Sequence, residues 1–149
     1  MYTFDTTVSA ARRDLLVSRL RETNTRRSPV LAAMRDTPLD TDVPLHVHAL
    51  GPEDGDALAG GLVGHVWGRW LHVDYLWVDE HHRRAGLGGR LLARAEEIAR
   101  REHDCLFARV GTWDFQAPDF YQLHDYTIAL ALPDYPPGVT DYLLTKPLT

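Results

Sequence analysis

The stretch from Leu76 to Leu92 constrains this chain more than any other. It reads as an apolar strand (Leu76-Trp77-Val78), a short polar turn, a basic glycine-rich loop and the start of a helix. Gly86, Gly88 and Gly89 fall within four positions; Arg83 and Arg84 precede them and Arg90 follows. Glycine lets the backbone come close to a ligand and adopt conformations closed to other residues. The helix that follows points its free N–H groups back at the loop, and such a start suits phosphate oxygens. The residues therefore describe a phosphate or pyrophosphate cradle with arginine charge beside it. A tight strand-to-helix turn with solvated arginines is the plainer alternative.

Two well-known phosphate loops do not fit. The dinucleotide fingerprint requires Gly-x-Gly-x-x-Gly, and the last glycine is missing after Gly86 and Gly88. The other loop ends in Gly-Lys-Ser/Thr, which is absent. The order Arg-x-x-Gly-x-Gly does fit, through Arg83, Gly86 and Gly88.

With 149 residues, 44% of them apolar, the chain has material for one domain with a real core, residues 1–149. The net charge of −5 argues against general nucleic-acid binding. Cys105, the lone cysteine, excludes an internal disulfide and offers no zinc framework; its apolar neighbours place it in the core. No apolar run is long enough to span a bilayer and no signal peptide is recognisable, so a cytoplasmic protein away from membranes is expected.

Met1 to Thr6 reads as a short strand or a frayed end. Val8, Ala11, Leu15, Leu16 and Leu20 then recur at helical spacing, with Thr7 or Ser9 as cap and an end near Asn24. Arg12, Arg13, Arg19 and Arg21 form the opposite, solvated face. A short helix is expected over Val30 to Arg35, and a loop from Thr37 to Pro44. Three strands follow: Leu45 to Leu50, Ala57 to Trp67 and Trp70 to Val78. They are joined by a turn at Pro52 to Asp56 and a tight turn at Gly68-Arg69. Gly60-Gly61 marks a bulge or a closely approached backbone. The helix after the glycine loop runs from Leu87 to about Glu102 on an apolar stripe of Leu87, Leu91, Ala95, Ile98 and Ala99. Glu96–Arg100 and Glu97–Arg101 are expected as ion pairs on its wet side. A strand over Cys105 to Val110 makes a right-handed parallel crossover. A short helix over Ala117 to Leu123 and strands over Tyr126 to Leu132 and Val139 to Thr145 close the chain. The fold class is mixed α/β, with a mostly antiparallel sheet of six to seven strands and helices on both faces.

This order resembles the GNAT superfamily of N-acetyltransferases, whose acetyl-CoA loop carries Arg-x-x-Gly-x-Gly. A second segment adds to the resemblance. Asp114-Phe115-Gln116-Ala117-Pro118-Asp119-Phe120-Tyr121 is similar to the family segment in which an Asn, an Ala and a Phe-Tyr pair recur at fixed spacing. Asp114 stands where that Asn is common, and Asp125-Tyr126 where a Gly-Phe pair is common. The likeness runs from about Leu45 to Lys146.

The resemblance implies an acetyl-CoA-dependent transfer to a primary amine of a small molecule or a protein. The diphosphate would rest on the backbone of Arg84, Ala85, Gly86, Leu87, Gly88 and Gly89, with Arg83, Arg84 or Arg90 adding charge. The pantetheine arm would run beside Leu76, Trp77 and Val78. The Val78 N–H would stabilise the oxyanion, and Tyr121 would protonate the departing thiolate. Asp114 would support the same arm. His72 and Asp74 are two apart on one strand and share a face. Relatives often carry a base at such positions, so these two are the base candidates. Otherwise His72 is a hydrogen-bonded sheet residue and Asp74 a partner of an arginine. If some of Asp114, Asp119, Asp125 and Asp134 line the cleft, a cationic amine is favoured. Trp67, Trp70, Trp77 and Trp113 are pocket walls or core. His46-Val47-His48 lacks a third ligand, so no metal is expected. A homodimer is compatible with the sequence, which fixes no interface. The rival reading is a module that binds acyl-CoA without turnover.

Overall fold

The computed structural model describes residues 1–51, 55 and 57–149; of the turn expected at Pro52 to Asp56, only Gly55 is among the described residues. The chain divides into two compact units, Met1–Asp40 and Thr41–Thr149.

The first unit is helical. Helix α1 (Ala10–Arg27) opens at Ser9, whose hydroxyl accepts from the Arg12 N–H at 3.2 Å. It passes the expected end at Asn24 because Asn24 and the residues after it contain nothing that breaks a helix. Pro29 supplies the stop by forcing the preceding Ser28 into an extended conformation. Ser28 then caps α2 (Pro29–Met34), accepting from the Leu31 N–H at 3.1 Å. Asp40 receives Arg21 at 2.6 Å and Arg35 at 3.0 Å, tying both helices to the short turn Pro38–Asp40. The adjacent Arg21 guanidinium holds the Asp40 carboxyl below the usual carboxylate range. The arginine face of α1 is occupied by local pairs, Arg12 with Asp5 and Arg13 with Asp14. Met1 to Thr6 forms no strand.

The second unit is a six-stranded sheet flanked by helices. Its strands are β1 (Val43–Gly51), β2 (Ala57–Trp67), β3 (Trp70–Val78), β4 (Phe107–Trp113), β5 (Thr127–Leu132) and β6 (Asp141–Pro147). They lie in the order β1-β2-β3-β4-β6-β5. Every pairing is antiparallel except β3 with β4, which the crossover helix α3 (Leu87–His103) makes parallel. β4 begins two residues later than expected. Cys105 and Leu106 remain in the connection, where the Leu106 N–H bonds the Arg69 carbonyl at 2.8 Å. β6 likewise begins at Asp141 rather than Val139.

One face of the sheet carries the core. Leu62, Leu71 and Leu144 from the strands meet Leu92 of α3, all fully buried, with Ala95 and Ala99 allowing close approach of the helix. Burying each leucine contributes about 1.5–3 kcal/mol. Cys105 is buried in the same cluster, and burial pushes its thiol up to about 11. Glu97 pairs with Arg101 as expected, but Glu96 does not pair with Arg100. Its carboxylate faces inward, accepting from the Tyr126 hydroxyl at 2.8 Å and the Lys146 ammonium at 2.9 Å. Sequence spacing identified Glu96 as wet because the stripe of α3 alone cannot show that β6 brings a lysine beneath it.

Two bulges shape the middle strands. Ala59 is the extra residue of β2 against β1, and Asp74 the extra residue of β3 against β2. The second inverts the alternation of β3: Leu71 and Val73 face the core before it, Leu76 and Val78 after it. Gly64 sits opposite this bulge, and a Cβ there would lie 2.3 Å from the His72 carbonyl oxygen. Gly64→Ala is therefore expected to destabilise the fold by about 2–3 kcal/mol, measured as a lowered midpoint in denaturant with unchanged slope.

Candidate active site

Pairing between β3 and β4 covers only Trp70–Val73 and Phe107–Val110. Both strands continue past that point without pairing to each other, so the sheet opens there. A cavity of about 870 Å³ fills the opening. Asp74, Tyr75, Leu76, Trp77 and Val78 form one wall, and Val110, Gly111 and Thr112 the other. The glycine loop closes one side, and α4 (Pro118–Leu123) brings Phe120, Tyr121 and the following His124.

The loop begins with Asp79, whose carboxylate accepts from the His81 N–H at 2.8 Å and caps the turn Glu80–His82. Arg83 folds back, its Nε donating to the Val78 carbonyl at 3.1 Å. Arg84 and Gly86 take left-handed φ angles of 67° and 74°, which turn the chain into α3. No side chain caps α3, and its first turn contains no acidic residue. Helix starts usually favour a carboxylate there. Here no capping side chain engages the first turn, and Gly86, Leu87, Gly88 and Gly89 border the cavity. A Cβ on Gly88 would stand 3.4 Å from the Phe120 ring, and one on Gly89 would stand 2.6 Å from the His124 ring. The missing side chain at Gly89 thus lets α3 lie against the end of α4, while Gly88 leaves room for a Cβ. Three arginines, an uncapped helix start and absent acid suit a diphosphate.

Tyr121 is 5% exposed and packs against Phe120 and Tyr126, with ring centroids 5.1 and 5.6 Å away. Burial pushes its phenol up to about 12. It therefore remains protonated across the physiological range, with a proton to give.

The structure brings Asp74, Leu76, Trp77, Val78, Arg83, Arg84, Gly86, Leu87, Gly88, Gly89 and Tyr121 to one cavity. Ala85 and Arg90 are exposed beside it and do not border it. Asp114 is also elsewhere: its carboxylate accepts from the Thr140 N–H at 3.0 Å, fastening the segment after β4 to the strand β6 approach. His72 lies below the opening, its ring stacked on that of His65 with centroids 4.4 Å apart. Burial, then the neighbouring His65 and Arg109, lower the His72 pKa and keep it neutral. Asp119, Asp125 and Asp134 do not border the cavity either; among the described residues, Asp74 is its one acidic side chain. Trp77 is a cavity wall, whereas Trp70 stacks on Phe107 at 4.8 Å.

Two residues went unnoticed in the sequence. His124 follows Phe120 by four positions, the helical spacing that brings their rings to 4.7 Å. His65 is the partner of His72 across the Gly68-Arg69 turn, a register the two-residue turn already fixes. Its Nδ1 lies 2.7 Å from Asp74 Oδ2. Among the described residues, no group of three or more His, Cys, Asp or Glu is placed to hold a metal, and no helix is long and apolar enough to cross a membrane.

An uncapped, glycine-rich helix start and a buried tyrosine thus border one split in a mixed sheet. The sequence model of the Acetyltransferase (GNAT) family matches residues 13–126, and the chain belongs to that family; it is an N-acetyltransferase. It is 55% identical over 136 residues to the blasticidin-S acetyltransferase of Streptomyces morookaense, covering 90% of this chain and 99% of that protein. The crystal structure of an acetyltransferase from Bacillus cereus ATCC 14579 matches with a TM-score of 0.82 over 97% of each chain, at 25% identity. A Bacillus anthracis acetyltransferase solved with acetyl coenzyme A shares the fold, with a TM-score of 0.62 and 18% identity over 70% of this chain and 62% of that one.

Proposed function

We propose that this enzyme transfers the acetyl group of acetyl-CoA to a primary amine of a small cationic molecule, blasticidin S or an amine like it. The observation that carries this reading is that Gly86 to Gly89, Val78, Asp74 and Tyr121 border one cavity. The similarity to the Streptomyces morookaense protein supports the choice of acceptor. The family match spans both compact units, which supports reading residues 1–149 as one domain. Acetyl-CoA is a cytoplasmic metabolite, and the reading places the enzyme there.

In this reading the first turn of α3 holds the diphosphate through its N–H groups, with Arg83 and Arg84 neutralising charge. The acyl arm lies along Leu76 to Val78. Asp74 holds the acceptor's ammonium and, directly or through water, takes its proton, since only the neutral amine attacks. The amine nitrogen bonds the thioester carbon, and the carbonyl oxygen gains charge beside the Val78 N–H. The nitrogen, positive once bonded to carbon, sheds its second proton to solvent, the carbonyl re-forms and the carbon–sulfur bond breaks. Tyr121 gives its proton to the sulfur, whose charge is costly in so closed a site, and regains one from solvent. The products are the N-acetyl amine and the free thiol.

Incubation with acetyl-CoA and blasticidin S is expected to give a product one acetyl group heavier, with one thiol released per acetyl transferred. Thiol release without acetylated product, or neither, would remove blasticidin S as the acceptor.

A further inference from the structure

Asp74 is an unusual place for a group that must be held still. It is the extra residue of the β3 bulge, with no partner on β2, and pairing to β4 has already ended at Val73. A bulged residue is not oriented by the sheet ladder on either side. Its side chain is 39% exposed. Something other than the backbone has to fix the carboxylate.

We propose that His65 is a positioning residue for amine transfer: its Nδ1–H holds Asp74 Oδ2, leaving Oδ1 to receive the acceptor's ammonium. This rests on reading the cavity as the amine site. The contact is 2.7 Å, a charge-assisted length. The His65 ring is itself fixed by stacking on His72, with planes only 16° apart. His72 stands in register with Arg109 on β4, so the imidazole stack is anchored in the paired half of the sheet. Burial, above all, lowers the His72 pKa and so disfavours a charge on the ring stacked against His65. The device thus transfers order from the regular part of the sheet to Asp74.

The arrangement requires neutral His65 to carry its proton on Nδ1. It also separates the donor from the ring. Asn offers an N–H close to the position of Nδ1, whereas Leu fills similar space without a donor. His65→Leu is expected to raise KM for blasticidin S and lower kcat, reducing kcat/KM by about 10- to 100-fold. Acetyl-CoA affinity and thermal midpoint should stay near wild type. His65→Asn should recover most of the lost kcat/KM. Equal damage by Leu and Asn, or a Leu variant with wild-type kinetics, would overturn the proposal. The ¹⁵N shifts of the His65 ring give a readout that needs no acceptor. The proton on Nδ1 is expected, and a proton on Nε2 overturns the proposal even if acetyl transfer is found. Absence of transfer to blasticidin S by wild type, with the proton on Nδ1, would instead count against the acceptor and leave the Asp74 tether standing.

Discussion

Replacing Tyr121 by Phe is expected to lower kcat about 100-fold or more and to leave acetyl-CoA affinity within about twofold. Phe keeps the ring contacts to Phe120 and Tyr126, so the wall of the cavity survives. Only the hydroxyl is lost. The loss falls on kcat because the proton is needed as the carbon–sulfur bond breaks, not when the donor binds. Burial pushes the Tyr121 phenol up to about 12. The sign follows directly: the catalytically useful protonated form persists below that value, so Tyr121 imposes no fall in kcat between about pH 7 and 10. Steady-state rates with a saturating acceptor, beside calorimetric titration of acetyl-CoA, check both halves. Equal losses of rate and affinity would return Tyr121 to the role of a packing residue.

Gly88→Asp is expected to weaken acetyl-CoA binding by about 100-fold without lowering the thermal midpoint. The substitution separates two things that glycine does here. A Cβ at Gly88 meets the Phe120 ring at 3.4 Å, an ordinary contact, so the fold has room. A carboxylate in the first turn of α3 favours the helix, by about 0.3–1 kcal/mol. The same carboxylate occupies the N–H groups proposed for the diphosphate and repels it. Binding and stability should therefore move in opposite directions, read by calorimetry and by thermal denaturation. Retained binding would place the donor's phosphates elsewhere. Loss of both would mean that Gly88 is needed for packing rather than for the ligand.

Much of this arrangement was legible before any coordinates. The Arg83–Gly88 pattern and the apolar strand before it are local features, and the helix start follows from them without tertiary information. Tyr121 was reachable because its neighbours form a motif of fixed spacing. Other features were not legible, each for a physical reason. The opening between β3 and β4 depends on where parallel pairing stops, at Val73 and Val110. That is a property of two strands remote in sequence. The bulge at Asp74 is set by its fit against Gly64, and it inverts which side chains of β3 reach the core. Alternation carried through the whole strand would put Leu76 and Val78 on the wrong face. Asp114 fits a recurring spacing, yet the Thr140 N–H engages it, because the chain beyond β5 returns beside β4. Glu96 shows the same limit from the other side: an exposed helix face becomes an interior pair only when β6 supplies Lys146. His65 could have been found, since the Gly68-Arg69 turn sets it against His72. The signal lay in turn geometry, not in any motif.

The most direct test of the account is calorimetric titration of the wild-type chain with acetyl-CoA, CoA, ATP and NAD. One acetyl-CoA or CoA per chain is expected, with no comparable binding of ATP or NAD and with binding weakened by Gly88→Asp. Failure to bind any CoA species, or tighter binding of ATP or NAD, would contradict the assignment of the cavity and the reaction built on it.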